Sequence, residues 1–170
     1  VGCAAHARRK FDEALTALPK EQQQTSKAAE ALCYFAKLFQ LEQSFAELKP
    51  EERYTKRLEQ AKPVLDALLA WANDLIPRTA PKSALGKALH YLKEQGPYLV
   101  RYLEDGRLEL SNNRAERSIK PFVMGRKGWL FSNTPVSAVI YSLIETAKEN
   151  APDPYRYLLW VLESAPAMAL

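Results

Sequence analysis

The chain has 170 residues, of which 47% are hydrophobic and 26% are charged, and it carries a formal net charge of +4. A chain of this length can bury one hydrophobic core, and its composition excludes disordered, collagen-like and coiled-coil classes. Charged residues interrupt every hydrophobic run, so no membrane span is predicted, and two cysteines (Cys3 and Cys33) are too few for a disulfide scaffold and favour a reducing, cytoplasmic compartment.

The spacing of apolar residues predicts a mostly α-helical protein. Three helices are predicted in the first half of the chain: residues 4–18, 26–48 and 50–76. Pro63 lies inside the third helix, where it predicts a kink near Ala61 or two helices in succession. After a linker, a helix over 82–94 is expected to break at Gln95-Gly96-Pro97, before a short helix over 98–103.

The pattern changes after the turn Asp105-Gly106, where a few short strands join the predicted helices. Residues 107–110 alternate in polarity and residues 129–131 are aromatic and aliphatic, so both segments are predicted to be extended. The last three helices are predicted to begin after a cap at 111–113, with Pro121 as the limit of the first, and then to cover 137–149 and 153–163.

The small net charge hides two basic segments. Residues 6–10 carry +3, with the histidine counted as neutral, and residues 111–128 hold five Lys or Arg against Glu116 alone, a balance of +4. The remaining residues therefore sum to −3. Such clustering is typical of a protein that contacts a phosphate backbone, although solvated helix faces also produce it.

Glu116 has two possible roles. With Asn113 three residues before it, it fits a capping box, in which a carboxylate reaches back to a backbone N–H at a helix start. Because it is also the one acid among five cations, a second interpretation is a metal ligand at a site that receives a phosphodiester. Spacing alone does not decide between the two.

Four motifs occur in order along the chain. They are Gly2-Cys3-x-Ala5-His6-Ala7-Arg8-Arg9-Lys10-Phe11, Ser111-Asn112-Asn113-Arg114-Ala115-Glu116-Arg117, Gly125-Arg126-Lys127-x-Trp129-Leu130-Phe131-Ser132 and Tyr141-Ser142-Leu143-Ile144-Glu145-Thr146-Ala147-Lys148. Through them, essentially the whole chain resembles the transposases of the insertion-sequence family numbered sixty-six, a bacterial DDE group.

This resemblance implies a ribonuclease-H-like (DDE) catalytic domain with an Asp, Asp, Glu metal triad, interrupted by a helical insertion before the final Glu. Residues 1–24 would be the end of a core segment, residues 25–104 the insertion, and residues 105–170 the Glu-bearing helix with the carboxy-terminal part of the core. Glu116 matches the final Glu, as a catalytic residue and metal ligand. The implied reaction is DNA strand cleavage and transfer, with two Mg²⁺ or Mn²⁺ ions in the full-length enzyme.

The resemblance also implies partners. These are DNA, as transposon ends and target, and further copies of the chain in a homo-oligomeric complex, within the bacterial cytoplasm and associated with the nucleoid. The predicted DNA contacts lie in the two basic segments: His6, Arg8, Arg9, Lys10, Asn112, Asn113, Arg114, Arg117, Lys120, Arg126 and Lys127. For the first segment, a solvated basic helix turn is the alternative interpretation.

Three further expectations concern the amino-terminal segment. In the family the two catalytic Asp residues precede the Gly-Cys-x-Ala-His motif, so the chain is expected to begin after both and to be inactive alone. Ala4 stands where the family usually carries Trp, which is expected to loosen this segment. Cys3 and His6 have half the spacing of a zinc site, but no second pair follows nearby, and no zinc is expected.

Two other classes of function stay open at the level of sequence. One is a non-catalytic helical DNA-binding or assembly module related to transposases. The other is a helical interaction protein whose basic patches are incidental.

Overall fold

The computed structural model describes residues 2–128 and 135–168, and the chain divides into two compact units, Val1–Asn112 and Asn113–Leu170. All regular structure within these described residues is helical, which confirms the prediction of a mostly α protein. The predicted division at residues 24 and 104 concerns the family's catalytic core and insertion, and it stays a prediction. The predicted strand over 129–131 lies outside the described residues.

The first unit contains six α-helices within the described chain. They are α1 (Ala4–Thr16), α2 (Lys20–Gln23), α3 (Lys27–Ser44), α4 (Pro50–Lys56), α5 (Lys62–Leu75) and α6 (Ala84–Leu99). Their starts follow the signals in the sequence: the hydroxyl of Ser26 accepts from the Ala29 N–H, the hydroxyl of Ser83 accepts from the Gly86 N–H, and Pro50 occupies the first turn of α4.

The irregularity predicted near Ala61, a kink or two helices in succession, falls at a single π-helical turn, Arg57–Ala61, between α4 and α5. Pro63 has no N–H to donate to the carbonyl of Glu59, and its ring would collide with that carbonyl in a regular helix. A wider turn relieves the collision, so the helical chain continues past Pro63 instead of ending.

Two predicted helix limits are wrong. Pro97 lies inside α6, which runs on to Leu99 and passes into a 3₁₀ turn, Val100–Leu103. A proline removes only one intrahelical hydrogen bond, and Leu92 and Leu99, on either side of it, are both buried in the core. In the second unit, Pro121 likewise lies within a helix that continues to Gly128.

The predicted extended segment over 107–110 is also wrong. The Asp105 carboxylate accepts a hydrogen bond from the Arg107 N–H at 2.8 Å, and the Leu108 N–H donates to the Asp105 carbonyl at 3.1 Å. These two hydrogen bonds form a turn within residues 105–108. The segment therefore does not pair with a neighbouring strand. The Arg107 guanidinium also lowers the pKa of Asp105 to about 2.

The core of the first unit is built from one face each of α1, α3, α5 and α6. Phe11 is fully buried, and its ring lies 5.9 Å from Phe35 and 6.2 Å from Trp71, centroid to centroid. Gly96 allows close helix packing, because a Cβ there would lie 3.2 Å from a Leu69 methyl group. Burial of these faces supplies the main favourable free energy of the unit.

The amino-terminal segment is joined to the rest of the first unit by backbone hydrogen bonds. The Gly2 N–H donates to the Tyr98 carbonyl at 2.8 Å, and the Ala4 N–H donates to the Leu110 carbonyl at 3.0 Å. Ala4 itself is buried, so its small side chain allows the start of α1 to approach the end of α6 closely. The expectation that Ala4 loosens this segment relative to the Trp usual in the family stays a prediction.

The second unit consists of α7 (Asn113–Gly128), α8 (Pro135–Glu149) and α9 (Pro154–Met168). Asp153 caps the start of α9: its side chain accepts a hydrogen bond from the Arg156 N–H at 2.9 Å. Among its described side chains, only Ala147 is fully buried, whereas many large apolar side chains are exposed. This unit has far less core per residue than the first.

Candidate active-site helix and basic segments

Glu116 lies in the first turn of α7, and its side chain is exposed. The helix begins at Asn113, so Asn112 flanks it and the capping-box register is displaced by one residue. A carboxylate in this turn is stabilised by the amino-terminal end of the helix dipole. Lys120 follows one turn later on the same side of α7, so acid and cation are adjacent on the surface.

Arg114, a predicted DNA contact, is held by a carboxylate within its own unit. Its Nε lies 2.5 Å from Oε2 of Glu149 at the end of α8, and both side chains are partly exposed. This ion pair connects the start of α7 to the end of α8. A phosphate would have to compete with Glu149 for the guanidinium, which makes Arg117 and Lys120, both exposed, the more accessible cations of the motif.

Between α7 and α8 lies a groove of about 360 Å³. Ser118 and Ile119 line it from α7, whereas Tyr141, Glu145 and Glu149 line it from α8. The side chain of Glu145 is only 14% exposed, and its carboxylate pairs with Lys148 at 2.7 Å. The residues of α8 that line the groove recur every three or four positions. This helical spacing is the signal from which the sequence could have predicted that they share one face.

The first basic segment belongs to the other unit, on α1. His6 and Lys10 are half-buried, and the Lys10 ammonium pairs with Glu13 at 3.1 Å. Arg8 and Arg9 are exposed, because the opposite face of α1 carries the buried Ala4, Ala7 and Phe11. The two arginines are therefore the cations of this motif that are accessible to a phosphate.

The remaining predicted residues lie in different parts of the structure. Cys3 immediately precedes α1 and Cys33 is exposed on α3. Asn112 and Asn113 are exposed at the start of α7. The side chains of Arg126 and Lys127 lie outside the described residues, although the backbone of α7 extends over both positions.

The structure adds a buried ion pair that sequence reasoning missed. Arg57 is 1% exposed, and its guanidinium donates to both carboxylate oxygens of Glu42, at 3.0 and 2.6 Å. It also donates to the carbonyls of Tyr102 and Asp105, at 3.1 and 3.0 Å, and it lies 5.0 Å from the centre of the Tyr102 ring. Burial raises the pKa of the Tyr102 hydroxyl. No local signal distinguishes Arg57 from the solvated cations near it.

The residues that could ligate a metal ion are dispersed. In the part of the chain that the structure describes, no three His, Cys, Asp or Glu side chains are grouped closely enough to hold one. Glu116 can therefore supply one ligand, but these residues do not form a metal site by themselves.

Comparison with known proteins assigns the chain to a family. Residues 1–140 match the family described as "Transposase IS66 family", and residues 142–169 match the "IS66 C-terminal element". The first of these matches covers more than half of the chain. The chain therefore belongs to the IS66 family of transposases, which confirms the resemblance carried by its four motifs.

The relatives are longer than this chain. It is 31% identical over 172 residues to the uncharacterized protein y4hP, and 35% identical over 167 residues to the uncharacterized protein y4jD, both from Sinorhizobium fredii. These alignments cover 94% and 95% of this chain but 31% of each relative, so the chain spans about a third of their length. No solved structure matches the chain.

In the ranges 2–128 and 135–168, no helix combines the length and apolar character needed to cross a membrane.

Proposed function

We propose that the full-length protein is a DDE transposase, which cleaves and transfers DNA strands with the help of divalent metal ions. Membership of the IS66 family supports a role in transposition. The observation that carries the catalytic part is the position of Glu116: an exposed carboxylate in the first turn of α7, with the exposed cations Arg117 and Lys120 beside it.

In this proposal Glu116 supplies one carboxylate of a site for Mg²⁺ or Mn²⁺ whose other ligands come from parts of the longer protein. Carboxylate oxygens are the ligands that these ions prefer, and the ions would supply activation of water or a 3′-hydroxyl. A ribonuclease-H-like core is part of the same proposal.

The cations of the chain have a separate role, which is to bind the DNA backbone. Arg117 and Lys120 lie within one turn of Glu116 along α7, so a phosphate held by them would be near its carboxylate. We expect Arg114 to contribute only when Glu149 releases it. The active assembly is proposed to be a homo-oligomer that holds transposon ends and target together.

The test is Glu116→Gln in the full-length enzyme, assayed for metal-dependent cleavage of a labelled transposon end. We expect cleavage to fall by at least about 10³-fold, because a metal-ligating carboxylate is lost, while DNA binding stays within about twofold. Glu163→Gln, an exposed glutamate of α9, is the matched control and is expected to cleave normally. Normal cleavage by the Glu116 variant would leave a non-catalytic DNA-binding or assembly module as the better description.

A further inference from the structure

The cations of the first unit fall into two groups. Outside α1, α6 and the 3₁₀ turn that follows α6, six cations pair with a nearby carboxylate: Lys27–Glu30, Lys56–Glu59, Lys62–Asp66, Arg78–Asp74, Arg107–Asp105 and the buried Arg57–Glu42. Four exposed lysines without an ion pair in the described chain lie singly, on α2, on α3 and before α4 and α6: Lys20, Lys37, Lys49 and Lys82. Within the described residues, five further exposed cations without an ion pair are grouped on α1, α6 and the 3₁₀ turn after it: Arg8, Arg9, Lys87, Lys93 and Arg101.

These unpaired cations lie on neighbouring elements. The hydrogen bond from the Gly2 N–H to the Tyr98 carbonyl places the start of α1 at the end of α6, and the buried faces of both helices belong to the same core. Their opposite faces are in solvent. The exposed acids on these two helices that have no ion pair in the described chain are Asp12 and Glu94, so the five cations leave a surplus of +3.

The end of α6 has a further feature suited to a nucleic acid. Tyr98 is 47% exposed, and the guanidinium of Arg101 lies 5.3 Å from the centre of its ring. The ring restrains the guanidinium without neutralising it, so Arg101 keeps its charge for a phosphate. Lys87 and Arg101 are 14 residues apart, a rise of about 21 Å, or about six base pairs of B-DNA.

From this charge distribution we infer that the outer faces of α1 and α6, with Arg101, form a surface that binds the backbone of double-stranded DNA. The inference rests on the proposed function, because it names a second place at which the transposase holds DNA. It assigns contacts to Lys87, Lys93 and Arg101, which lie outside both basic motifs. The contact is to phosphates, so it does not depend on base sequence.

The experiment measures binding of the 170-residue chain to a fluorescent 30-base-pair duplex of arbitrary sequence by anisotropy, over a series of salt concentrations. The test variant is the triple Lys87→Gln, Lys93→Gln, Arg101→Gln. The matched control is the triple Lys37→Gln, Lys49→Gln, Lys62→Gln, which removes the same charge from exposed positions outside α1 and α6. Circular dichroism checks that both variants keep their helices.

We expect the α6 triple to weaken binding at least about tenfold and to make the log–log salt slope shallower by about 2.7, since each lost phosphate contact removes about 0.9. The control triple is expected to leave the slope within about 0.5 of the unsubstituted chain. Equal effects of the two triples would mean that only net charge matters, and would overturn the inference. So would failure of the unsubstituted chain to bind duplex DNA; neither result bears on the dependence of cleavage on Glu116, which is measured separately.

Discussion

At the residue scale, the side chain of Arg57 connects distant parts of the first unit. Its guanidinium joins α3, through Glu42, to the chain that leaves α6, through the carbonyls of Tyr102 and Asp105. The π-helical turn caused by Pro63 is the turn that Arg57 opens. A local backbone feature and a long-range ion pair therefore meet at the same residue.

We expect Arg57→Ala to lower the free energy of unfolding by about 3–5 kcal/mol, as is usual when one partner of a buried pair is removed. Glu42, only 16% exposed, would lose its cation, and two carbonyls would lose their donor. Urea denaturation followed by circular dichroism measures this. Lys56→Ala, the exposed neighbour that pairs with Glu59, should cost no more than about 0.5 kcal/mol. A similar loss in both variants would contradict the role given to Arg57.

At the scale of elements, the prolines show where the local rule that proline limits a helix holds and where tertiary packing overrides it. Pro50 begins a helix and Pro63 follows a π-helical turn, both at positions where the sequence predicts a helix start or an irregularity. Pro97 and Pro121 were expected to limit helices and instead lie inside them. For α6 the reason is tertiary: the buried leucines on both sides of Pro97 keep the helix continuous despite one missing hydrogen bond.

Replacement of Pro97 by Ala is expected to stabilise the chain by about 1–2 kcal/mol. An alanine restores the N–H donor toward the Lys93 carbonyl and removes an interior-helix penalty of about 3 kcal/mol, partly offset by the greater freedom of the unfolded chain. Urea midpoints provide the measurement. The same change at Pro50, in the first turn of α4 where proline is favourable, should be destabilising or neutral. Loss of stability in the Pro97 variant would show that the helix depends on its proline.

At the scale of the whole molecule, the two units differ in how much they bury. The first has an extended core that includes Phe11, Phe35, Leu89 and Leu92, all fully buried. In the second, exposed apolar side chains such as Tyr155 and Leu162 outnumber buried ones among the described residues. Local opening costs least where few apolar contacts are lost, so the second unit should open first.

Limited digestion with trypsin is therefore expected to cut first after Arg114 or Arg117, at the start of α7, whereas the Lys120–Pro121 bond resists trypsin. The product should be a resistant fragment that contains α1 to α6. Mass spectrometry of the early products identifies the sites. Lys87 and Lys93 serve as the internal comparison, because they are exposed trypsin sites on a helix that packs into the core. Early cutting at those lysines would contradict the difference in stability between the units.

The sequence by itself determined the helical class, the main helix starts and the family, because these depend on apolar spacing, on capping residues and on four motifs that are all local. It also located Glu116 and the basic segments along the chain. Tertiary structure decided which charges are free: Arg57 and Arg114 read as ordinary cations, yet one is buried against Glu42 and the other is held by Glu149. It also brought the unpaired cations of α1 and α6 onto neighbouring helices. Such pairings join residues far apart in the chain, and the energy of a charge depends on its neighbours in space.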